Sequence, residues 1–277
     1  MSAPPRLDAA ALVTAHVLER LGLREGAPLL VGLCGAQGSG KSTLAAEVAA
    51  GLDGRGVRAA VLSLDDLYLD RAARAALAER QHPLLLTRGP PGTHDVDLGL
   101  AILDRFRRGG ALLLPRFDKA MDAPRPREAW ESVAPGLEVL LFEGWCVGAR
   151  PQTAHALEPP INALERTRDP DGGWRGFVNG ALAGPYQRLF AGLDSLVMLA
   201  APGFEVVPGW RAEQERALAT AGPGAGGLMS TDELAVFVQH FERLTRHMLA
   251  ETPARADLVL RLDERRNVLV QSEPVTP

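Results

Sequence analysis

Gly35-Ala36-Gln37-Gly38-Ser39-Gly40-Lys41-Ser42 satisfies the spacing G-x-x-x-x-G-K-[ST] at each fixed position. In that pattern glycines let backbone N–H groups close round phosphate oxygens. The lysine reaches the β- and γ-phosphates of a nucleotide, and the final hydroxyl goes to Mg²⁺. Residue usage sharpens the reading. Of 30 basic residues only Lys41 and Lys119 are lysine, and the rest are arginine. A lysine kept against that bias marks a place that needs a compact, rotatable ammonium and not a planar guanidinium.

Two acidic segments could act on what this loop holds. In Ser63-Leu64-Asp65-Asp66-Leu67-Tyr68, a carboxylate faces the γ-phosphate if the segment follows a strand of the same sheet. It would accept the proton of an attacking hydroxyl or help hold Mg²⁺. Adjacent aspartates point apart, so one of the two lines the site; the alternative is that either caps a following helix. In Leu141-Phe142-Glu143-Gly144-Trp145 an apolar run ends in an acid that reaches the metal directly or through water, and Gly144 implies close backbone approach.

Positioning these groups requires a parallel sheet. Leu29 to Cys34 is a short apolar run that reads as a buried strand leading into the loop, and the stretch after it has apolar residues at helical spacing (Leu44, Val48, Leu52). Further strands are expected at Arg58 to Leu64, Val139 to Glu143, Ser195 to Ala200 and Asp257 to Leu262, with Asn267 to Val270 pairing with the last as a hairpin. Helical patterns occupy Leu7 to Leu21, Asp97 to Arg108, Val178 to Phe190, Phe204 to Thr220 and Thr231 to Ala250. This alternation predicts an α/β fold of the P-loop NTPase type, doubly wound and mostly parallel, with helices on both faces. Residues 1–277 read as one domain, with an N-terminal helix within 1–28, a helical lid over 203–230 and a mobile Gly-rich loop at 222–227.

The chain has 277 residues, 46% of them hydrophobic, enough for a substantial core. A formal charge of −4 without basic runs gives no footprint for nucleic acid. No apolar run of membrane-spanning length and no signal segment is present, so a soluble, cytoplasmic protein is expected. Cys34 and Cys146 lie on or just after predicted strands and read as reduced packing residues. Trp145, Trp174 and Trp210 read as packing residues as well.

GLCGAQGSGKST, SLDDLYL, HPLLLTRGPPGTHDVDL, PRFDKAMD, LFEGW, GWRAEQE and MSTDELAVFVQHFERLTRH follow one another in an order that resembles the D-glycerate 3-kinase family. That family lies within the P-loop kinases that include uridine kinase, phosphoribulokinase and pantothenate kinase, and the resemblance runs from about residue 29 to residue 265. It implies an ATP- and Mg²⁺-dependent kinase acting on a small hydroxy acid. Gly35, Gly40, Lys41, Ser42 and Thr43 would meet ATP phosphates and Mg²⁺. Asp65 would be the general base, with Asp66 second choice and Tyr68 lining the acceptor site. Arg88, Gly89, Thr93, His94 and Asp95 fall in the substrate-side segment; Arg116, Asp118 and Lys119 fall in a second one. Arg211 resembles the lid arginine that closes over the transferred phosphate, and Glu213 stands where the family pattern has Gln.

Glycerate is an anion, and holding its carboxylate calls for a fixed, bidentate arginine, with Arg88 and Arg116 as candidates. His94 binds substrate or bonds within its loop, and Asp95 or Asp97 also fits a helix cap. Two other functions fit the residues: a kinase of another small hydroxyl compound, pantothenate- or nucleoside-like, and a P-loop ATPase that switches a partner. An aromatic content of 5% disfavours base stacking in the acceptor site.

Overall fold

In the computed structural model, which describes residues 8–220 and 229–272, the loop-bearing strand lies near the middle of a sheet. In chain order the helices are α1 (Ala9–Gly22), α2 (Lys41–Asp53), α3 (Arg71–Arg80), α4 (Val96–Arg107), α5 (Ala154–Leu157), α6 (Ala163–Arg168), α7 (Gly173–Ala181), α8 (Gln187–Phe190), α9 (Val207–Thr220) and α10 (Thr231–Glu251). The strands are β1 (Leu29–Gly35), β2 (Ala59–Ser63), β3 (Leu112–Leu114), β4 (Phe117–Asp118), β5 (Ala123–Pro124), β6 (Glu131–Val133), β7 (Val139–Gly144), β8 (Ser195–Ala200), β9 (Leu258–Leu262) and β10 (Val268–Ser272). The main sheet has the order β10-β9-β8-β1-β7-β2, and β3–β6 form two small antiparallel pairs outside it.

β1, β7 and β8 are buried along their whole length, which is why each reads as a continuous apolar run and not as an alternation. Their side chains still divide by period two. Leu30 and Cys34 join the core on one side of the sheet, with α4, the segment 182–190 and α10. Leu29, Val31 and Leu33 join the core on the other, with α1, α2 and Trp210 of α9. Each fully buried Leu or Val contributes about 1.5–3 kcal/mol. Pairing is parallel from β2 to β9, and only β10 runs antiparallel, against β9.

The expected α/β, doubly wound architecture is therefore present, and the strand boundaries agree within one or two residues. The expected helix from Val178 differs. Asp169 accepts hydrogen bonds from the N–H groups of Trp174 (2.8 Å) and Arg175 (3.2 Å), so α7 begins at Gly173. Pro185 then sits inside a π-helical turn, Leu182–Tyr186, since a proline denies the regular ladder one N–H. Helix α3 has no apolar stripe to betray it, and of its ten residues only Arg74 is buried. Its start is set by the Asp70 side chain, which caps the N–H of Ala73 at 2.7 Å. The Gly-rich segment 222–227 lies outside the described residues. Among the described residues no helix is long and apolar enough to cross a membrane.

Candidate active site

At the carboxyl end of β1 the chain must turn sharply into α2, and two glycines make that turn. Gly38 and Gly40 have φ of +75° and +88°, a region that L side chains avoid. Gly40 is the N-cap of α2 and has no side chain to bond the first helical N–H groups, which are left for an anion together with the positive end of the helix dipole. Gly38 is also crowded: a Cβ there would stand 2.6 Å from Cβ of Trp210 on α9. From the far side the Arg266 guanidinium donates to the Gly38 carbonyl (2.6 Å), lies over the Trp210 ring (5.0 Å) and pairs with Glu213 (2.7 Å). Glu213, where the family pattern has Gln, is thus the partner of an arginine that braces the phosphate loop. The buried Gln37 Oε1 and Ser39 Oγ have no hydrogen-bond partner.

β7 carries Glu143 to the same end of the sheet, in register with Leu33 of β1 and Ser63 of β2. The Ser42 hydroxyl donates to Glu143 Oε1 at 2.9 Å, and the buried Oε2 is unpartnered. An orphaned carboxylate oxygen beside a hydroxyl suits a hard divalent cation. Mg²⁺ needs few protein ligands because substrate phosphates and water complete its shell. Among the described residues no cluster of three or more His, Cys, Asp or Glu exists to hold a metal by protein ligands alone. The glycine after Glu143 is dictated by packing, since a Cβ on Gly144 would come within 2.6 Å of Leu64 Cβ in the turn after β2.

That turn, a 3₁₀ segment Leu64–Leu67 capped by Ser63, presents the two aspartates. They point apart, as adjacent side chains must. Asp65 accepts from Lys119 Nζ (2.6 Å) and from the Tyr68 hydroxyl (2.6 Å). Burial alone pushes its carboxyl up, but the ammonium groups of Lys119 and Lys41 win and hold it well below the usual carboxylate range. Both lysines of the chain therefore act on this carboxylate. Asp66 turns the other way, accepting from the Phe117 N–H (2.9 Å) and Arg116 (3.2 Å). Burial is the largest influence on it and raises its carboxyl.

Around Asp65 lies an aromatic shell. Tyr68 forms a β-bridge with His94 and stacks on its ring (4.7 Å), and its edge meets Phe117 (5.3 Å). Burial lowers the pKa of the His94 imidazole to about 3, so the ring is neutral. Its Nδ1 lies 2.5 Å from the Tyr186 hydroxyl, which also accepts from the Gly92 N–H (3.0 Å). Thr93 holds the same turn through Gly89 and Pro90. Asp95 caps α4, accepting from the Leu98 N–H at 2.9 Å, the alternative open for it in the sequence.

Several expected substrate residues are engaged with protein groups. Arg88 pairs with Asp122 at 2.6 Å and lies over the Phe117 ring, 5.7 Å from its centre. Arg116 is matched by Asp66 and Glu131. Asp118 holds its own turn through the N–H groups of Ala120 and Met121. Arg211 pairs with Glu215 one helical turn on and covers the Phe237 ring at 5.5 Å. Sequence reasoning passed over Arg74, Asp122, Tyr186 and Arg266. Arg74, Tyr186 and Arg266 belong to none of the motif segments, and Asp122 ends PRFDKAMD, in which Arg116, Asp118 and Lys119 stand out as the functional residues. Trp145, Trp174 and Trp210 are buried packing residues, as expected. Cys34 and Cys146 are buried and unpaired; desolvation pushes the Cys34 thiol up to about 12 and Cys146 higher still, so neither is reactive.

Comparison with known proteins finds kinases among the relatives of this chain. A family model described as methylmalonyl Co-A mutase-associated GTPase MeaB matches residues 6–68, which contain the phosphate loop and Asp65 but none of the later segments. The protein "Uncharacterized kinase mug58" of Schizosaccharomyces pombe is 36% identical over 234 residues, 81% of this chain and 82% of that one. The chloroplastic D-glycerate 3-kinase of Arabidopsis thaliana is 28% identical over 261 residues, 88% of this chain but 54% of that one, so this chain spans about half its length. Among solved structures, D-glycerate 3-kinase from Cryptococcus neoformans var. grubii has a TM-score of 0.80 at 22% identity, covering 96% of this chain and 99% of that one. The YGR205w protein has a TM-score of 0.75 at 23% identity, covering 95% of each. At these identities the two structures speak for the fold. With a phosphate loop at the end of β1, Glu143 at the end of β7 and Asp65 in the turn after β2, the chain belongs to the D-glycerate 3-kinase family of P-loop kinases and is an ATP-dependent small-molecule phosphotransferase.

Proposed function

We propose that the acceptor is D-glycerate, phosphorylated on its 3-hydroxyl to 3-phosphoglycerate, with Mg²⁺ as the metal. The observation that carries this reading is the surroundings of Asp65: an ionised carboxylate between two lysines, with the guanidinium groups of Arg88 and Arg116 close by on the acceptor side. A hydroxyl next to a carboxylate is what such a site selects. Arginine matches the carboxylate in two-point geometry, while the aspartate accepts the hydroxyl's hydrogen bond.

In the reaction, the N–H groups of the loop and Lys41 would hold the β- and γ-phosphates. Mg²⁺, held by Ser42 and by Glu143 directly or through water, would neutralise charge on the phosphate oxygens when bound. Asp65 would align the acceptor hydroxyl with the γ-phosphorus and take its proton late. So acidic a carboxylate is a weak base, but positioning and charge neutralisation do most of the work in phosphoryl transfer. For the hydroxyl to replace it, Lys119 must let go of Asp65. Residues 203–230 are read as the lid, and Arg211 has to leave Glu215 to meet the transferred phosphate. The two free, buried cysteines fit a reducing compartment, and we infer a cytoplasmic setting.

Phosphorus NMR of the protein with ATP, Mg²⁺ and D-glycerate, against an acceptor-free control, tests the proposal. A 3-phosphoglycerate signal is expected. A 2-phosphoglycerate signal overturns the choice of hydroxyl. Inorganic phosphate alone, at one rate in both samples, removes glycerate and favours the switch ATPase, to which the MeaB match over residues 6–68 lends its weight.

A further inference from the structure

Arg74 is the only buried residue of α3, and a guanidinium inside a protein needs matching charge and partners for its donors. It has neither in full. One Nη bonds Asp122, whereas Nε and the other Nη are buried without partners. Asp122 also receives Arg88, at 2.6 Å, so two cations share one carboxylate and the group carries a net positive charge. Arg116 is the opposite case: with Asp66 and Glu131 beside it, its charge is more than matched. The two acceptor-side arginines are therefore not equivalent.

The single carboxylate is carried by an exposed turn. Asp122 ends the turn between β4 and β5, has φ of +51° although it is not glycine, and follows Met121, which is 76% exposed. Arg74 and Arg88, by contrast, are held from other parts of the fold, Arg74 by α3 and Arg88 against the Phe117 ring. The cluster also lies close to the chemistry. Arg88 covers Phe117, whose ring meets the edge of Tyr68, whose hydroxyl bonds Asp65.

We propose that Arg74 and Arg88 form the seat for the acceptor's carboxylate, and that Asp122 occupies this seat in the free enzyme and is displaced when the acceptor binds. Arg74 adds the second guanidinium and the unused donors that Arg88 alone lacks. Although burial raises its carboxyl, bonds from the two arginines hold Asp122 ionised, a like-charged competitor for a carboxylate ligand. Glycerol, with the same hydroxyl skeleton and no charge, gains nothing from the seat. The inference rests on the reading of the acceptor as a small hydroxy acid.

The test is calorimetric titration of the full chain, without ATP, with D-glycerate and with glycerol, on wild type and Asp122→Asn. The variant removes the competing charge and keeps the shape, so glycerate binding is expected to tighten roughly three- to tenfold, with glycerol unaffected. Arg74→Lys, which keeps a charge and loses the fork, is expected to weaken glycerate at least about tenfold. Should that buried variant fail to fold, Asp122→Asn decides alone, its fold checked by thermal melting. Unchanged or weaker glycerate binding in folded Asp122→Asn overturns the proposal and makes Asp122 a structural clamp. If glycerate is nevertheless phosphorylated, the acceptor assignment stands without this seat. Tighter glycerate binding in the variant with no phosphorylation keeps the seat and removes the assignment.

Discussion

Asp65, in the turn after β2, and Glu143, on β7, stand at the carboxyl ends of adjacent strands, and their surroundings divide the labour between them. Asp65 is held ionised by Lys119 and Lys41 and accepts from the Tyr68 hydroxyl, whereas Glu143 shares its first oxygen with Ser42 and leaves its second unpartnered. Asp65→Asn keeps size and hydrogen-bonding reach but loses the charge. It is expected to lower turnover by roughly two to four orders of magnitude with ATP affinity retained. Steady-state kinetics beside nucleotide titration checks this, and near-normal turnover would remove Asp65 from the role. Glu143→Gln is expected instead to shift the Mg²⁺ dependence of turnover, raising the half-saturating concentration about 10–100-fold. An unchanged Mg²⁺ titration in that variant would place the metal elsewhere.

At the scale of elements, α9 and the phosphate loop form one unit. Trp210 stands on Gly38, its indole N–H donates to the Glu264 carbonyl at 2.7 Å, and Arg266 closes the contact from the loop before β10. Gly38→Ala would drive a Cβ into Trp210 at a φ of +75°. The expected loss is about 1–3 kcal/mol from backbone conformation alone, with more from the clash, and nucleotide affinity should fall with it. Melting temperature and ATP affinity measured together check this, and a variant with both unchanged would show that the contact gives way freely. The loop itself was legible in the residues, because its glycines and Lys41 fall within one short segment of regular spacing. Its brace was not, since Arg266 is 228 residues from Gly38 and sits among arginines that look alike.

For the molecule as a whole, buried neutral histidines couple stability to pH. Burial lowers His94 to about 3 and His240 to about 4, against about 6.5 in an unfolded chain. Below pH 6.5 the unfolded chain takes up protons that the folded one refuses. Stability is therefore full above that pH and falls as pH drops toward the folded values. At pH 5 each histidine is expected to cost on the order of 2 kcal/mol, visible as a fall in the urea midpoint between pH 7 and pH 5. Replacing His240 by an uncharged residue should flatten part of that slope; an unaltered slope would assign the effect to other groups.

What the sequence determined alone was whatever is local. Glycine spacing dictates a backbone that wraps phosphate, continuous apolar runs dictate buried parallel strands, and an acid that closes such a run lies at the carboxyl end of the sheet. Those rules lead to β1, β7, Lys41, Asp65 and Glu143, and the order of the segments led to the family. Tertiary structure decided which charges meet. Lys119 reaches Asp65 across 54 positions and Ser42 reaches Glu143 across 101, pairings that follow from strand order and not from any motif. It also took Arg74 from a helix polar enough to pass for surface and buried it beside Arg88 with a single carboxylate between them. An arginine's energy depends on its desolvation and on its neighbours, and neither exists until distant segments have packed.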